Sequence, residues 1–217
     1  VLGAMQTASF TTIGDVWSWN PADTAWIVRQ PMPDGTERGA SVAGAIDGKI
    51  YVAGGLRGGA IADFGVYDPA LDEWTALPAL PAARDHACGA AAGGKLVVVG
   101  GRQAQITSIT DTVFEYTPGG AWVERAAMPT ARGGTACGVV NDRLIVVGGE
   151  GNPDATTGVF PDVESFDPAT NTWSALAPMV TPRHGMAAAA IDGKLYVPGG
   201  ATRQGFGAVA THEVLTP

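Results

Sequence analysis

Charge is scarce in this sequence. Only 16% of its 217 residues are charged, and 13 Lys+Arg are outnumbered by 21 Asp+Glu. A net charge of −8 does not concentrate on phosphate backbones or anionic headgroups, which argues against nucleic acid and membrane surfaces as partners. Apolar runs are short, and none approaches the roughly 18 residues that a spanning helix needs. Two cysteines, Cys88 and Cys137, are too few for a disulfide framework or a cysteine-built zinc centre. The histidines, His86, His184 and His212, show no ligand spacing. The double glycines described below end strands and open no helix, so they do not make a phosphate loop. No metal or cofactor is therefore expected. Backbone punctuation, by contrast, is abundant, with Gly 31 and Pro 15, and hydrophobic residues make up 46%. That combination suits a sizeable core built from many short strands and turns rather than long helices.

Internal repetition decides the fold class. Double glycines at Gly54-Gly55, Gly100-Gly101, Gly148-Gly149 and Gly199-Gly200 are spaced by 46, 48 and 51 residues. Arg38, Arg84, Arg132 and Arg183 repeat at the same spacings, each 16 residues before its double glycine. Trp26, Trp74, Trp122 and Trp173 repeat at 48, 48 and 51. One unit reads from its arginine as a small-residue strand, a tight turn, an apolar strand ending in the double glycine, and a variable loop. A strand closed by an aromatic and a turn follows, then the tryptophan strand. Asp192-Gly193 marks the first turn, because both central residues of such a hairpin take positive φ. Phe166-Asp167-Pro168 marks the second. Each unit thus predicts four antiparallel strands, a to d.

The residue types say how these sheets pack. Strand b reads Leu96-Val97-Val98-Val99 or Leu144-Ile145-Val146-Val147, apolar on both faces, so it needs a sheet on each side. Strand a is made of small residues, as in Ala87-Cys88-Gly89-Ala90-Ala91-Ala92, while strands c and d carry the large aromatics. A taper of this kind fits blades arranged around an axis with strand a innermost.

A double glycine after an apolar strand, an aromatic-Asp-Pro turn (Tyr67-Asp68-Pro69), Trp74, then Met128-Pro129 and Arg132 resemble the kelch repeat. The resemblance covers essentially the whole chain. It implies an all-β, kelch-type β-propeller of four-stranded antiparallel blades, as in the central domain of galactose oxidase. At about 48 residues per blade the chain supplies three complete blades (34–81, 82–129, 130–180) and two partial ones (1–33, 181–217). Val1-Leu2-Gly3-Ala4 stands where a strand b should end, so the chain reads as one domain cut from a larger ring. Kelch rings of this family usually have six or seven blades.

In this topology the b–c and d–a connections share one face, and the b–c connections vary in length while the a–b turns do not. Variation on a fixed scaffold marks that face as the binding face. Residues recurring at one offset, namely the four arginines, the double glycines and the four tryptophans, are expected to be architectural. So are Asp15, Asp63 and Asp162, each four before the aromatic of strand c. Non-recurring residues remain for binding: Arg57, His86, Arg102, Gln103, Glu150, Phe160, His184, Arg203 and Phe206, with Asp85 beside His86. Phe206, between two glycines, is a candidate stacking platform for a sugar ring or a peptide side chain. Arg57, Arg102 and Arg203, each close behind a double glycine, are candidates to converge on a carboxylate. As a variable-loop side chain Arg102 is expected to tolerate removal within about 0.5 kcal/mol.

The resemblance supports a binding scaffold for a protein or peptide partner, with carbohydrate as the alternative ligand. Where kelch domains read acidic peptides, arginines often stand two positions after the repeat arginine. Here those positions hold Ala40, His86, Gly134 and Gly185, so that chemistry does not carry over. An enzymatic alternative resembles galactose oxidase or a sialate mutarotase, with Glu150 and Arg102 or Arg203 acting on a sugar acid. A Tyr-His pair of the oxidase type is absent from this sequence. No catalytic residue is therefore assigned. Cys88 and Cys137 fall in innermost strands and are expected to be buried free thiols. Low Lys content with abundant Gly, Ala and Thr leans towards an exported protein.

Overall fold

The computed structural model describes residues 2–5, 11–103 and 105–217, so Val1 lies outside the described residues. Every described element is a strand, and no helix is long and apolar enough to cross a membrane. A three-stranded sheet comes first, formed by β1 (Leu2–Met5), β2 (Thr12–Ser18) and β3 (Ile27–Arg29). The second sheet contains β4 (Val42–Ile46), β5 (Lys49–Ala53), β6 (Phe64–Asp68) and β7 (Glu73–Leu77). The third contains β8 (Cys88–Ala92), β9 (Lys95–Val99), β10 (Val113–Tyr116) and β11 (Trp122–Arg125). The fourth contains β12 (Ala136–Val140), β13 (Arg143–Val147), β14 (Val163–Asp167) and β15 (Thr172–Ala175). A last three-stranded sheet is formed by β16 (Ala189–Ile191), β17 (Lys194–Pro198) and β18 (His212–Leu215). All pairings are antiparallel and sequential, which gives the expected a-b-c-d meander in the three central sheets. Leu2 pairs with Val16 as Ala53 pairs with Phe64, so β1 occupies the strand b position of the first sheet.

Strands a lie innermost: β4 meets β8, β8 meets β12, and β12 meets β16. Small residues permit this approach, since a Cβ on Gly44 would stand 2.9 Å from the Ala91 amide nitrogen. Strand b sits between two cores, as its all-apolar sequence requires. Leu96 and Val98 pack with Tyr51, Phe64 and Tyr116 towards the preceding blade. Val97 and Val99 pack with Leu144, Val146 and Phe166 towards the following one. Ile145 and Val147 then join Leu195 and Val197 in the next interface. The ring is open. Trp19, Trp26 and Val28 at one end, and Ile191 and Val214 at the other, face solvent where a neighbouring blade would cover them.

The recurring residues make recurring bonds between neighbours. The indoles of Trp74, Trp122 and Trp173 each donate to a carbonyl in the connection before their own blade, Gln30, Pro78 and Ala126, at 3.1, 3.1 and 2.9 Å. Trp26, with no blade before it, is 57% exposed. The repeat arginines are buried between blades, with relative exposures of 4, 2, 0 and 0%. Arg38, Arg132 and Arg183 donate to strand b carbonyls of their own blades, Val52, Val146 and Val197. Meanwhile their backbones serve the blade before: the amides of Gly55, Gly101 and Gly149 donate to the carbonyls of Arg84, Arg132 and Arg183. The first glycine of each of the first three pairs is fixed by the same contact. Gly100 takes φ of 60°, and a Cβ there would stand 2.7 Å from the Arg132 carbonyl oxygen.

Carboxylate partners differ from blade to blade. Arg132 Nη1 lies 2.6 Å from Glu164 Oε2. Burial pulls the Arg132 guanidinium below its ordinary pKa, and the Glu164 carboxylate opposes that pull. Arg84 has no such partner and instead lies over the Phe114 ring at 5.5 Å. Arg132→Ala therefore strands a buried carboxylate and should cost about 3–5 kcal/mol. Arg84→Ala strands only neutral acceptors and should cost about 1–3 kcal/mol. Denaturant midpoints of the two variants, measured side by side, check the order.

The free-thiol expectation is corrected here. Cys88 and Cys137 form a disulfide between β8 and β12, with Cα atoms 6.0 Å apart. Side chains alternate across a strand, and these two positions are out of step by one. Cys88 pairs with Val99, whereas Cys137 pairs with Val146 and not with Val147. The offset turns each sulfur towards the other blade, and both belong to the same inter-blade core. Under oxidising conditions, thiol labelling of the unfolded chain should find no free cysteine. Cys88→Ser with Cys137→Ser should cost about 2–4 kcal/mol.

Candidate functional site

The b–c and d–a face is organised by a second set of pairings close to the axis. The residue after each double glycine pairs with the residue after each repeat arginine. Leu56 bonds Gly39, Arg102 bonds Asp85, Glu150 bonds Gly133, and Ala201 bonds His184, each as an isolated antiparallel bridge. One residue further in, a backbone chain crosses from blade to blade. His86 donates to Ala40 at 3.1 Å, Gly134 to His86 at 2.8 Å, and Gly185 to Gly134 at 2.8 Å. Ala40, His86, Gly134 and Gly185 all take positive φ, between 50 and 63°, so the geometry is common to the four blades.

Side chains at the bridged positions are not common to the blades, and they meet in a cavity of about 490 Å³. Arg102 stands at its centre. Its Nη1 lies 3.1 Å from Glu150 Oε1, and its Nε lies 3.4 Å from Asp85 Oδ1. His184 Nδ1 lies 3.4 Å from Glu150 Oε1, and its Nε2 contacts the Arg203 carbonyl at 2.8 Å. The Gly205 amide donates to Glu150 Oε2 at 3.0 Å. His86 Nδ1 lies 2.5 Å from Asp85 Oδ1. All of Asp85, Arg102, Glu150 and His184 are buried. Two atoms are left over: Asp85 Oδ2 and Arg102 Nε are both buried without a hydrogen-bond partner. Phe206 stands at the rim, 85% exposed. Together these groups can hold a cationic or multiply donating group at Asp85, flanked by an aromatic surface.

The structure thus gathers His86, Arg102, Glu150, His184 and Phe206 at one cavity and leaves the other candidates outside it. Arg57 pairs locally with Asp63 at 2.7 Å. Gln103 is exposed and its amide donates to Ser108. Phe160 is buried beside the double glycine, its amide bonded to Gly149. Arg203 contributes its carbonyl, while its side chain lines a separate polar groove with Asn152 and Gln204. The three loop arginines therefore do not converge. Asp85 carries more of the site than its place in the sequence suggested. The usable signal was its position directly after a repeat arginine, where Gly39, Gly133 and His184 stand in the other blades. Glu150 is already held by Arg102, His184 and the Gly205 amide, which leaves it poorly suited to act as the base of a sugar-acid reaction.

Four-stranded blades around a cavity on the axial face define a β-propeller with a charged axial pocket. The Kelch motif family model matches residues 37–81 and 131–180. "Kelch-like protein terF" of Aspergillus terreus is 34% identical over 226 residues, covering 100% of this chain and 48% of that protein. "Kelch-like protein 23" of Homo sapiens is 29% identical over 199 residues, covering 88% of this chain and 34% of that protein. The chain thus spans half or less of the curated relatives it matches. The solved structure of YjhT superposes with a TM-score of 0.80 over 100% of this chain and 77% of its own, at 19% identity. The chain belongs to the kelch-repeat family.

Burial of Arg102 corrects the expectation that a variable-loop arginine is dispensable. Its removal leaves Asp85 and Glu150 facing one another without a cation. Arg102→Ala should lower stability by about 3 kcal/mol, seen as a shifted denaturant midpoint with an unchanged slope.

Proposed function

We propose that this chain is a kelch-repeat binding scaffold that presents its b–c and d–a connections to a protein or peptide partner. A partner segment lies across the axial face, packs on Phe206 and places a Lys or Arg side chain against Asp85. The unpaired Asp85 Oδ2 carries this reading, because a buried carboxylate oxygen without a donor is costly unless a ligand supplies one. Phe206 supports it, being a large apolar ring exposed at the rim of the cavity. Peptides are favoured over sugars because the other cavity carboxylate, Glu150, is already held within the protein and only Asp85 Oδ2 remains to receive a donor. The inter-blade disulfide supports an exported location.

Selection of a random peptide library on the chain is the test. Enriched peptides should carry a basic residue and should lose at least about tenfold in affinity on Phe206→Ala and Asp85→Asn, the loss of one aromatic or charge-assisted contact. Asp142→Ala, in an a–b turn on the opposite face, should leave them unchanged. Peptides sensitive to Asp142→Ala and indifferent to Phe206→Ala would place binding on the other face. Enrichment of glycans with no peptide would favour the carbohydrate alternative.

A further inference from the structure

A second site lies apart from the axial cavity, on the second sheet and the connection that leads into it. It emerges when the blades are compared at one strand c position, the residue paired with the strand b valine before the double glycine. That position holds Gly65, Phe114, Glu164 and Glu213, paired with Val52, Val98, Val146 and Val197. In the fourth sheet the Glu164 carboxylate fills a cradle made by two side chains. Arg132 Nη1 lies 2.6 Å from Oε2, and the Thr130 hydroxyl donates to Oε1 at 2.9 Å. Glu213 repeats this in the last sheet, with Arg183 Nη2 at 3.3 Å and the Thr181 amide donating at 2.9 Å. In the third sheet both halves are replaced: Phe114 covers Arg84, and Ala82 stands where the threonine would be.

The second sheet alone keeps the cradle and lacks the carboxylate. Arg38 is in place, 4% exposed, and so is Thr36, two residues before it. Glycine at 65 leaves the space open, and a cavity of about 300 Å³ occupies it, lined by Arg38, Thr36, Met32, Phe64, Trp74 and Leu77. Arg38 donates to the carbonyls of Thr36 at 3.1 Å and Val52 at 3.0 Å, and its Nε has no hydrogen-bond partner. The nearest acid, Asp63, stands 3.8 Å from Nη1 and is drawn off by Arg57 at 2.7 Å. The Thr36 hydroxyl now donates to Pro33, and rotation about χ1 frees it.

We propose that this cavity binds a small monocarboxylic acid with an apolar or aromatic body. The ligand carboxylate takes the place that Glu164 and Glu213 hold in their blades, on Arg38 and Thr36, and its body lies against Trp74 and Met32 on the Gly65 face of the sheet. The apolar walls favour a free small molecule over an acidic peptide side chain, whose flanking backbone they could not satisfy.

Phenylacetate and hexanoate are the probes, with phenylacetamide, hexanamide and acetate as controls. The Trp74 indole N–H signal, assigned by Trp74→Phe, reports occupancy. The two acids should shift it saturably, and the neutral amides and the bodiless acetate should not. Gly65→Glu supplies the missing carboxylate from within, so it should abolish acid binding and raise the thermal midpoint by about 2–4 °C. Thr36→Val should weaken the acids several-fold, and Gly65→Ala, which adds only a methyl, should retain them. The proposal is overturned if amides bind as well as acids, or if Gly65→Glu binds phenylacetate unchanged or melts lower than the parent. It is also overturned if only a glutamate-containing peptide moves the Trp74 signal. Loss of peptide binding at Phe206 bears on the axial face alone and leaves this site untouched.

Discussion

Everything in this domain hangs on a buried arginine that belongs to two blades at once. Its guanidinium ties the d–a connection to strand b of its own sheet, and its carbonyl accepts from the second glycine of the sheet before. A charged group buried to this degree is stable only when its donors are used. The surrounding backbone is arranged around that demand. The double glycine must take positive φ so that the next blade's carbonyl can approach, and strand b must end where its carbonyls meet the guanidinium. The fixed spacing from arginine to glycine in the sequence is the chemical length of that arrangement.

With the architecture held by recurring groups, the residues beside them are free to differ. Directly after the arginines and the double glycines the backbone is the same in each blade, yet the side chains are Gly39, Asp85, Gly133 and His184 on one side and Leu56, Arg102, Glu150 and Ala201 on the other. Evenly repeated backbone thus delivers an uneven charge pattern to one cavity. The Gly65 position shows the same logic in reverse: there the architectural acid itself has been exchanged, and an empty cradle remains.

The fold was legible because the bonds that build it must be made again in every blade, and repetition writes them into the sequence at one period. Strand order, the central placement of strand a and the doubly covered strand b all followed from that and from residue size. The site was legible in membership and much less so in pairing. Arg102, Glu150, His184 and His86 stood out as non-recurring, but their contacts join different blades, and distances across the axis have no signature along the chain. Arg57 satisfies itself on Asp63 in its own loop, and Phe160 turns inward, which loop composition does not reveal. The disulfide was written in a one-residue offset between Cys88 and Cys137, which matters only once the strands are known to face each other.

The backbone chain from Gly185 through Gly134 and His86 to Ala40 has a direction, since along it each blade donates to its predecessor. The arginine carbonyls run in the opposite sense, each accepting from the blade before. The third and fourth sheets are thus each held by links of both senses, to the sheet before and the sheet after. Interfaces are confined to nearest neighbours, as in a linear array. Thermal opening meets its firmest resistance where the disulfide joins β8 to β12. The axial cavity straddles that seam, with Asp85 and Arg102 on one side of it and His184, Gly205 and Phe206 on the last sheet, beyond the other. Fraying of one blade would then widen the pocket without unfolding the residues at its floor.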